Sequence, residues 1–277
     1  MIFTEYRSAS EFASDVMGAV MKYEIQNNLV IKNIGDGAGK TMLNVKDDAG
    51  NLLLTAVRTL PFPMVMFETD NIRRNDAISF FATSLAQRGI EVTQFMTEKL
   101  LAANFARFYG EATGKKFENY DKLVLYVIDK APDISITSGK FRRAETKDMY
   151  YLCYWSADFA PACNIGAYDL DAAIDRIRGQ IAAGSLYIWE DGLPVSMAAT
   201  VREVSGCKII GQVYTPPFLR GQGYSTACVA SLTKSLFTGG DTHCALYADC
   251  ANPYSNSVYR KIGYRETFWY DQYREVR

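Results

Sequence analysis

The spacing of apolar positions changes along the chain, and each change predicts an element. Between Glu11 and Val30, Phe12, Val16, Ala19, Val20, Tyr23 and Ile25 recur at broadly helical spacing behind Ser10, a candidate N-cap, so an opening helix is expected. From Lys40 the period shortens. KTMLNVKDDAGNLLLTAVRTL holds two apolar runs around Asp47-Asp48-Ala49-Gly50-Asn51, and Pro61-Phe62-Pro63 precedes a third run, MVMFET, which predicts a three-strand antiparallel meander. Helices over about 75–87 and 97–109, closed by Gly89 and Gly110, and a strand at 123–129 follow.

The segment 131–140, APDISITSGK, is polar and carries Pro132, Ser138 and Gly139, so it reads as a domain boundary that divides the chain into 1–137 and 138–277. Beyond it, FRRAETKDMYYLCYWSADF is a short strand passing into a helix, and Asp169 to Ala183 is a further helix before Gly184. SLYIWE, PVSMAATVREV and CKIIGQVYT alternate apolar and polar positions, with turn residues between them, as hairpin-linked strands do. A helix at 225–238, a strand at 244–249, a helix at 254–262 and a strand from Thr267 to Tyr273 complete the half. The expected class is α+β, a mixed and mostly antiparallel sheet flanked by helices. The first half has a similar order of elements, without a visible residue-level repeat.

A chain of 277 residues is nearly twice the ~150 residues typical of one domain, and 48% apolar content is ample for a packed core. Thirty Lys and Arg against 31 Asp and Glu leave a net charge of -1, so no global basic field favours nucleic acid. No apolar run approaches the ~18 residues of a membrane span, and MIFTEYRSASEF lacks the basic flank and apolar core of a signal, so a cytoplasmic protein is expected. The six cysteines include no CxxC pair and read as reduced thiols. His243-Cys244 is a poor metal site, because neighbours on a strand point to opposite faces and His243 is the only histidine. No metal is expected.

Chemistry concentrates in QVYTPPFLRGQGYSTACVASLTKSL, residues 212–236. A strand ends at Thr215, Pro216-Pro217 stop its ladder, and Arg220-Gly221-Gln222-Gly223-Tyr224-Ser225 turns directly into a helix. Such a turn offers free backbone N–H groups at the positive end of a helix dipole, with glycines that let an anion approach and Arg220 as a cation nearby. A GxG turn alone also fits an ordinary strand-to-helix connection. The absence of GxxxxGK and of the third glycine of GxGxxG argues against nucleotide hydrolysis and dinucleotide binding. The second segment is DCANPYSNSVYRKIGYRE, residues 249–266. Here Asn252 and Pro253 start a helix, Gly263 and Tyr264 stop it, and Tyr259 lies two turns beyond Asn252 on the same face.

Together these segments resemble the GNAT N-acetyltransferase superfamily. The loop matches the acetyl-CoA pattern Q/R-x-x-G-x-G/A with Arg220, Gly221, Gln222, Gly223 and Tyr224, and has Ser225 in the last place. Asn252, Ser255, Tyr259, Gly263 and Tyr264 match N-x-x-A/S-x-x-x-Y-x-x-x-G-F/Y. The resemblance covers residues 140–277 and implies a sheet whose fourth and fifth strands splay around the pantetheine arm of acetyl-CoA, the expected co-substrate. It implies that Val213, Tyr214 and Thr215 present backbone groups to the pantetheine and that amides from Gly221 to Thr226 hold the pyrophosphate. Asn252 and Asn256 would lie near the cofactor, and Tyr259 would protonate the departing thiolate.

Direct transfer to an amine needs no enzyme nucleophile, in keeping with the lack of a Ser-His-Asp or Cys-His pairing. The strand CKIIGQVYT offers no carboxylate as base; Asp249 is the nearest, and it fits a turn cap as well, with water as a relay. The first half resembles the degenerate N-terminal domain of two-domain members. It lacks the loop, and Gly35, Gly37 and Gly39 read as a turn rather than a second cofactor site. The expected activity is acetyl transfer from acetyl-CoA to the amine of a small molecule or peptide. The alternative is a non-catalytic CoA-binding sensor or scaffold, which would not need a proton donor at Tyr259.

Overall fold

Helix-forming and strand-forming stretches run in one order twice. In the computed structural model, which describes residues 1–35, 40–69, 74–135, 137–163 and 165–276, the first series is β1 (Ile2–Glu5), α1 (Ala9–Val20), α2 (Asn28–Gly35), β2 (Lys40–Lys46), β3 (Leu52–Thr59), β4 (Met64–Glu68), α3 (Arg74–Gln87), β5 (Gln94–Glu98), α4 (Lys99–Thr113) and β6 (Phe117–Ile128). The second is β7 (Lys140–Arg143), α5 (Met149–Ala162), α6 (Leu170–Ala182), β8 (Leu186–Asp191), β9 (Leu193–Val204), β10 (Cys207–Tyr214), α7 (Tyr224–Thr238), β11 (His243–Asp249), α8 (Pro253–Ile262) and β12 (Arg265–Glu275). Each series is a strand, two helices, three strands, a helix, a strand, a helix and a strand. The α+β class and the duplicated order expected of the sequence are both present.

The chain packs as two units, Met1–Val124 with Phe268–Arg277, and Leu125–Thr267. The boundary expected at residues 137 and 138 falls elsewhere: the chain leaves the first unit inside β6 and returns to it inside β12.

In the first unit β1 to β4 are antiparallel neighbours, β4 and β5 are parallel, and β12 pairs antiparallel with β5 over Tyr270–Arg274 and Gln94–Glu98. Phe12, Val16, Val30 and Ile34 pack with Met42, Val57 and Val65 on one side of this sheet. Ile78, Phe81, Leu85, Leu101 and Phe105 pack with Leu43, Leu54 and Ala56 on the other. Alternation along each strand, with period 2, supplies both faces.

In the second unit β7 to β10 are antiparallel and β10 and β11 are parallel. Leu152, Cys153 and Trp155 of α5 and Ile177 of α6 pack with Leu186, Ile188, Met197 and Tyr214. Helix α7 buries Cys228, Val229, Leu232 and Leu236.

Three local expectations are corrected. The opening helix is not continuous to Val30, because a 3₁₀ turn at Met21–Tyr23 separates α1 from α2. Asn27 donates to the Val20 carbonyl at 3.1 Å and Asn28 to that of Ile25 at 2.6 Å, so side-chain amides take carbonyls that a continuing helix would bond to its own N–H groups. Helix α4 runs through Gly110 to a left-handed cap at Gly114, φ 74°. Gly110 serves a close approach, since a Cβ there would lie 2.8 Å from the Lys115 carbonyl oxygen. Strands β1 and β5, of 4 and 5 residues, were not expected and are too short to show a period. Of the Gly35, Gly37, Gly39 triplet, Gly35 ends α2, and Gly37 and Gly39 lie outside the described residues. Among the described residues no helix is long and apolar enough to cross a membrane.

Helix α5 is anchored by a partly buried ion cluster around Asp148. Arg142 of β7 makes a forked pair with Asp148, at 2.7 and 2.8 Å, and also bonds Glu190, while Asp148 accepts the Glu145 N–H at 2.8 Å. Burial pushes the Asp148 carboxyl up, but the Arg142 and Glu145 hydrogen bonds outweigh it and hold the group below its ordinary value. A depressed carboxyl contributes stability above its unfolded pKa, about 3.9, and loses it as pH falls through the folded value. Asp148→Ala is therefore expected to destabilise the second unit by roughly 2–4 kcal/mol at pH 7 in denaturant unfolding, with a shallower loss of stability below about pH 4 than the wild type.

Candidate functional site

The sheet of the second unit opens at one place. β10 and β11 pair only from Cys207 with His243 to Ile210 with Leu246, although β10 runs on to Tyr214 and β11 to Asp249. On its other edge β10 shifts register against β9 between Gly211 and Tyr214, which makes room for one extra residue. The bulge contains Gln212 at φ 51°, a left-handed conformation that side chains disfavour. Its side chain is buried between two helices: Gln212 donates to the Ser156 hydroxyl of α5 at 2.8 Å and accepts from Gln180 of α6 at 2.7 Å. Gly211 makes the same bend possible, because a Cβ there would lie 3.1 Å from the Val201 methyls. The expected splay of the fourth and fifth strands of this series is thus a feature of the fold.

β10 leads directly into α7. Gly221 at φ 81° and Gly223 at φ 84° shape the loop between them, and no side chain caps the start of α7, where Gly223 is the N-cap residue. The first amides of α7 therefore keep their hydrogen-bonding capacity. They border a cavity of about 330 Å³ lined by Gly221, Gln222, Gly223 and Thr226, by Ser135 and Thr137 from the polar connection, and by Lys261 of α8. Tyr224 fastens the loop: its hydroxyl donates to Asp191 at 3.0 Å and reaches Gln222 at 3.2 Å. The Asp191 bond, and then burial, push this phenol up. Ser225, the departure from the family pattern, is half-buried in the first turn of α7.

Arg220 is turned away from this cavity. Its Nε donates to the Thr215 carbonyl at 3.0 Å, and its guanidinium stands 5.9 Å from the centre of the Tyr214 ring. The cation that lines the cavity is Lys261, which forms no ion pair among the described residues. The carbonyl of Tyr214 accepts from Ser196 at 3.2 Å, so two of the three backbone segments expected to face a pantetheine already have one internal partner each.

Helix α8 has the caps expected of its sequence. Asn252 accepts from the Ser255 N–H at 3.1 Å, Pro253 is the first residue, and Gly263 at φ 109° closes the helix with the Tyr264 N–H bonded to the Tyr259 carbonyl at 3.0 Å. Asn256 is 4% exposed and ties this helix to β11, donating to the carbonyls of Asp249 at 2.9 Å and Asn252 at 2.7 Å and accepting from the Tyr126 hydroxyl at 3.0 Å. Asn252 and Asn256 are engaged in local structure and do not line the cavity. Asp249 accepts the Ala251 N–H at 2.7 Å, which is the turn-capping alternative.

Tyr259 is buried, with its ring 5.7 Å from Tyr126 and 6.3 Å from Tyr264. Burial pushes its phenol well above the ordinary value, with smaller contributions from Cys163 and Tyr126. Tyr126 is pushed up to about 12, by burial and then by its bond to Glu266. Tyr259 is therefore a neutral hydroxyl at any ordinary pH, able to donate a proton. Lys261, Ser135 and Thr137 escaped the sequence reading because no spacing relates them to the loop they face. No disulfide joins the described cysteines, and no group of three or more potential metal ligands exists among the described residues.

The family model described as "FR47-like protein" matches residues 188–274, from β8 to β12. No curated protein matches the sequence. Among solved structures, a GCN5-related N-acetyltransferase from Sphaerobacter thermophilus superposes with a TM-score of 0.69 at 13% identity, covering 99% of this chain and 96% of that one. An acetyltransferase from the GNAT family of Colwellia psychrerythraea gives 0.63 at 13% identity, with both chains covered in full, 100% each. A tandem GNAT protein from the clavulanic acid biosynthesis pathway gives 0.55 at 11% identity, covering 99% and 98%. These likenesses span both units. The chain thus has the fold of these GNAT-family structures, and the FR47-like model matches the site-bearing part of its second unit.

Proposed function

We propose that the chain is an N-acetyltransferase that moves an acetyl group from acetyl-CoA to the amine of a small molecule or peptide by direct attack. The observation that carries this reading is that the strand which parts from its neighbour, β10, runs straight into the uncapped start of α7. A gap between strands suits an extended arm with amide groups, and free helix amides beside a lysine suit a diphosphate. Coenzyme A combines the two, and acetyl-CoA supplies the acetyl thioester.

In this reading the amides from Gly221 to Thr226 and the Lys261 ammonium bind the diphosphate, with Ser135 and Thr137 closing the opposite wall. The backbone of Val213 to Thr215 orients the arm. Tyr259 gives its proton to the departing sulfur. A free thiol titrates near 8.5 and a free phenol near 10, and burial penalises a thiolate beside Tyr259 as it penalises the phenolate, so the two proton affinities rise together. The first unit is a degenerate copy of the fold without a cofactor loop, since the sequence from Thr69 to Arg73, between its fourth strand and the following helix, contains no glycine. The cytosol is the proposed compartment, on the composition and the lack of a CxxC pair.

Three measurements test the reading. CoA should raise the unfolding midpoint, because a ligand of the folded state stabilises it by mass action, about 2.7 kcal/mol at 100 times Kd. Gly223→Val places a branched side chain at φ 84° on the loop, directed toward Thr137, and should abolish this rise; an undiminished rise in a folded variant overturns the loop assignment. Lys261→Met should weaken CoA about tenfold, equivalent to 1.4 kcal/mol, and leave pantetheine unaffected, as isothermal titration would show.

Tyr259→Phe keeps the ring in its packing and removes only the hydroxyl. Turnover should fall by about 10² or more, in kcat and kcat/KM alike, with CoA affinity little changed. Full turnover in this variant, with chemistry limiting, removes Tyr259 from the mechanism.

A further inference from the structure

The carboxylates of the second unit are mostly committed. Asp148 and Glu190 are held by Arg142, Glu266 by Arg260, Asp129 by Arg265, and Asp249 by a backbone N–H. Asp158 of α5 differs. It is exposed, no cation among the described residues pairs with it, and its one hydrogen-bond partner is the Tyr214 hydroxyl at 3.4 Å.

The position of Tyr214 gives this contact its meaning. Tyr214 is the last residue of β10, on the stretch that has left β11. Its ring is buried on the α5 side, and its hydroxyl reaches the carboxylate. The Asp158 carboxylate therefore stands at the end of β10 where the strand has left β11.

The face of α5 that carries Asp158 is aromatic. Tyr151 and Tyr154 precede it by seven and four residues, share its side of the helix, and are exposed. Tyr151 meets Trp155 with ring centres 6.3 Å apart, and Trp155 meets Tyr214 at 6.4 Å, so ring contacts run from the surface to the end of β10. Aromatic faces attract cations, and a lone carboxylate beyond them completes a path for a positively charged group.

We propose that Asp158 is the base for the acceptor, and that Tyr151 and Tyr154 lead a primary ammonium group to it. This rests on the acetyltransferase reading and names its acceptor class as cationic amines. Asp158 takes one proton from the ammonium. The nitrogen lone pair forms the new C–N bond to the acetyl carbon as the C–S bond breaks, and Tyr259 protonates the sulfur. The second nitrogen proton returns to Tyr259 through solvent, and Asp158 releases its proton to solvent, so the balance is one amide, one thiol and one free proton.

The test compares wild type and Asp158→Asn with two kinds of acceptor. Spermidine and a lysine-containing peptide are protonated at neutral pH, whereas hydroxylamine is largely unprotonated and needs no base. Because Asp158 is exposed, the variant should fold and bind CoA as the wild type does. The expected result is a loss of about 10² or more in kcat/KM with the cationic acceptors and of less than about tenfold with hydroxylamine. Equal losses with both kinds, or no loss with either, overturn the proposal. A wild type that binds CoA and acetylates neither cationic acceptor overturns this inference and leaves the cofactor reading standing. A wild type that binds no CoA overturns the acetyltransferase reading itself.

Discussion

A glutamine at φ 51° costs the chain on the order of 1 kcal/mol, and Gln212 stays there because its side-chain amide is satisfied at both ends by Ser156 and Gln180. These bonds tie the bulge of β10 to both helices on that side of the sheet. If Gln212 relaxed to an extended conformation, its amide would leave two buried partners, and the extra residue between Gly211 and Tyr214 would have nowhere to go. The opening beside β11 is thus maintained by polar bonds on the far side of the strand. It does not require a ligand to hold the strands apart, and a site formed in advance loses less conformational entropy on binding.

Most of this architecture is legible in the sequence because it depends on local chemistry. Gly263 and Tyr264 close α8, Asn252 and Pro253 open it, and turn residues separate β8, β9 and β10, all within a few residues of the features they determine. What escapes is set by distant partners. Gly110 looks like a helix stop and is instead a point of contact with Lys115. Gln212 reads as one polar position in an apolar strand, and only Ser156 and Gln180 explain its conformation. The break after α1 depends on two asparagine side chains competing for carbonyls, which a hydrophobic period cannot register.

Charge around the glycine loop follows the same division. The motif contains an arginine, and the expectation that a motif cation faces the motif's ligand is natural. Arg220 instead closes the end of β10 by bonding Thr215, which rigidifies the exit from the strand. The cation at the cavity comes from the last turn of α8, where a lysine also complements the C-terminal end of the helix dipole. Lys261 can therefore satisfy its own helix without a ligand present, and a bound phosphate would compete with that helix end for its charge. The phenol of Tyr259, two residues earlier on the same helix, is buried while Lys261 is exposed, so one short element presents a buried hydroxyl and a solvated cation in different directions.

The last strand of the first unit bears on how the protein is made. β5 lies against residues 270–274, so the sheet of Met1–Val124 lacks that partner strand until β12 is available. During synthesis the N-terminal unit emerges long before β12 does, and its β5 must meanwhile remain an unpaired edge of the kind that invites wrong pairing. The first half of the chain thus cannot complete its fold at the ribosome as it appears, and a truncation that removes β12 would damage the unit encoded first.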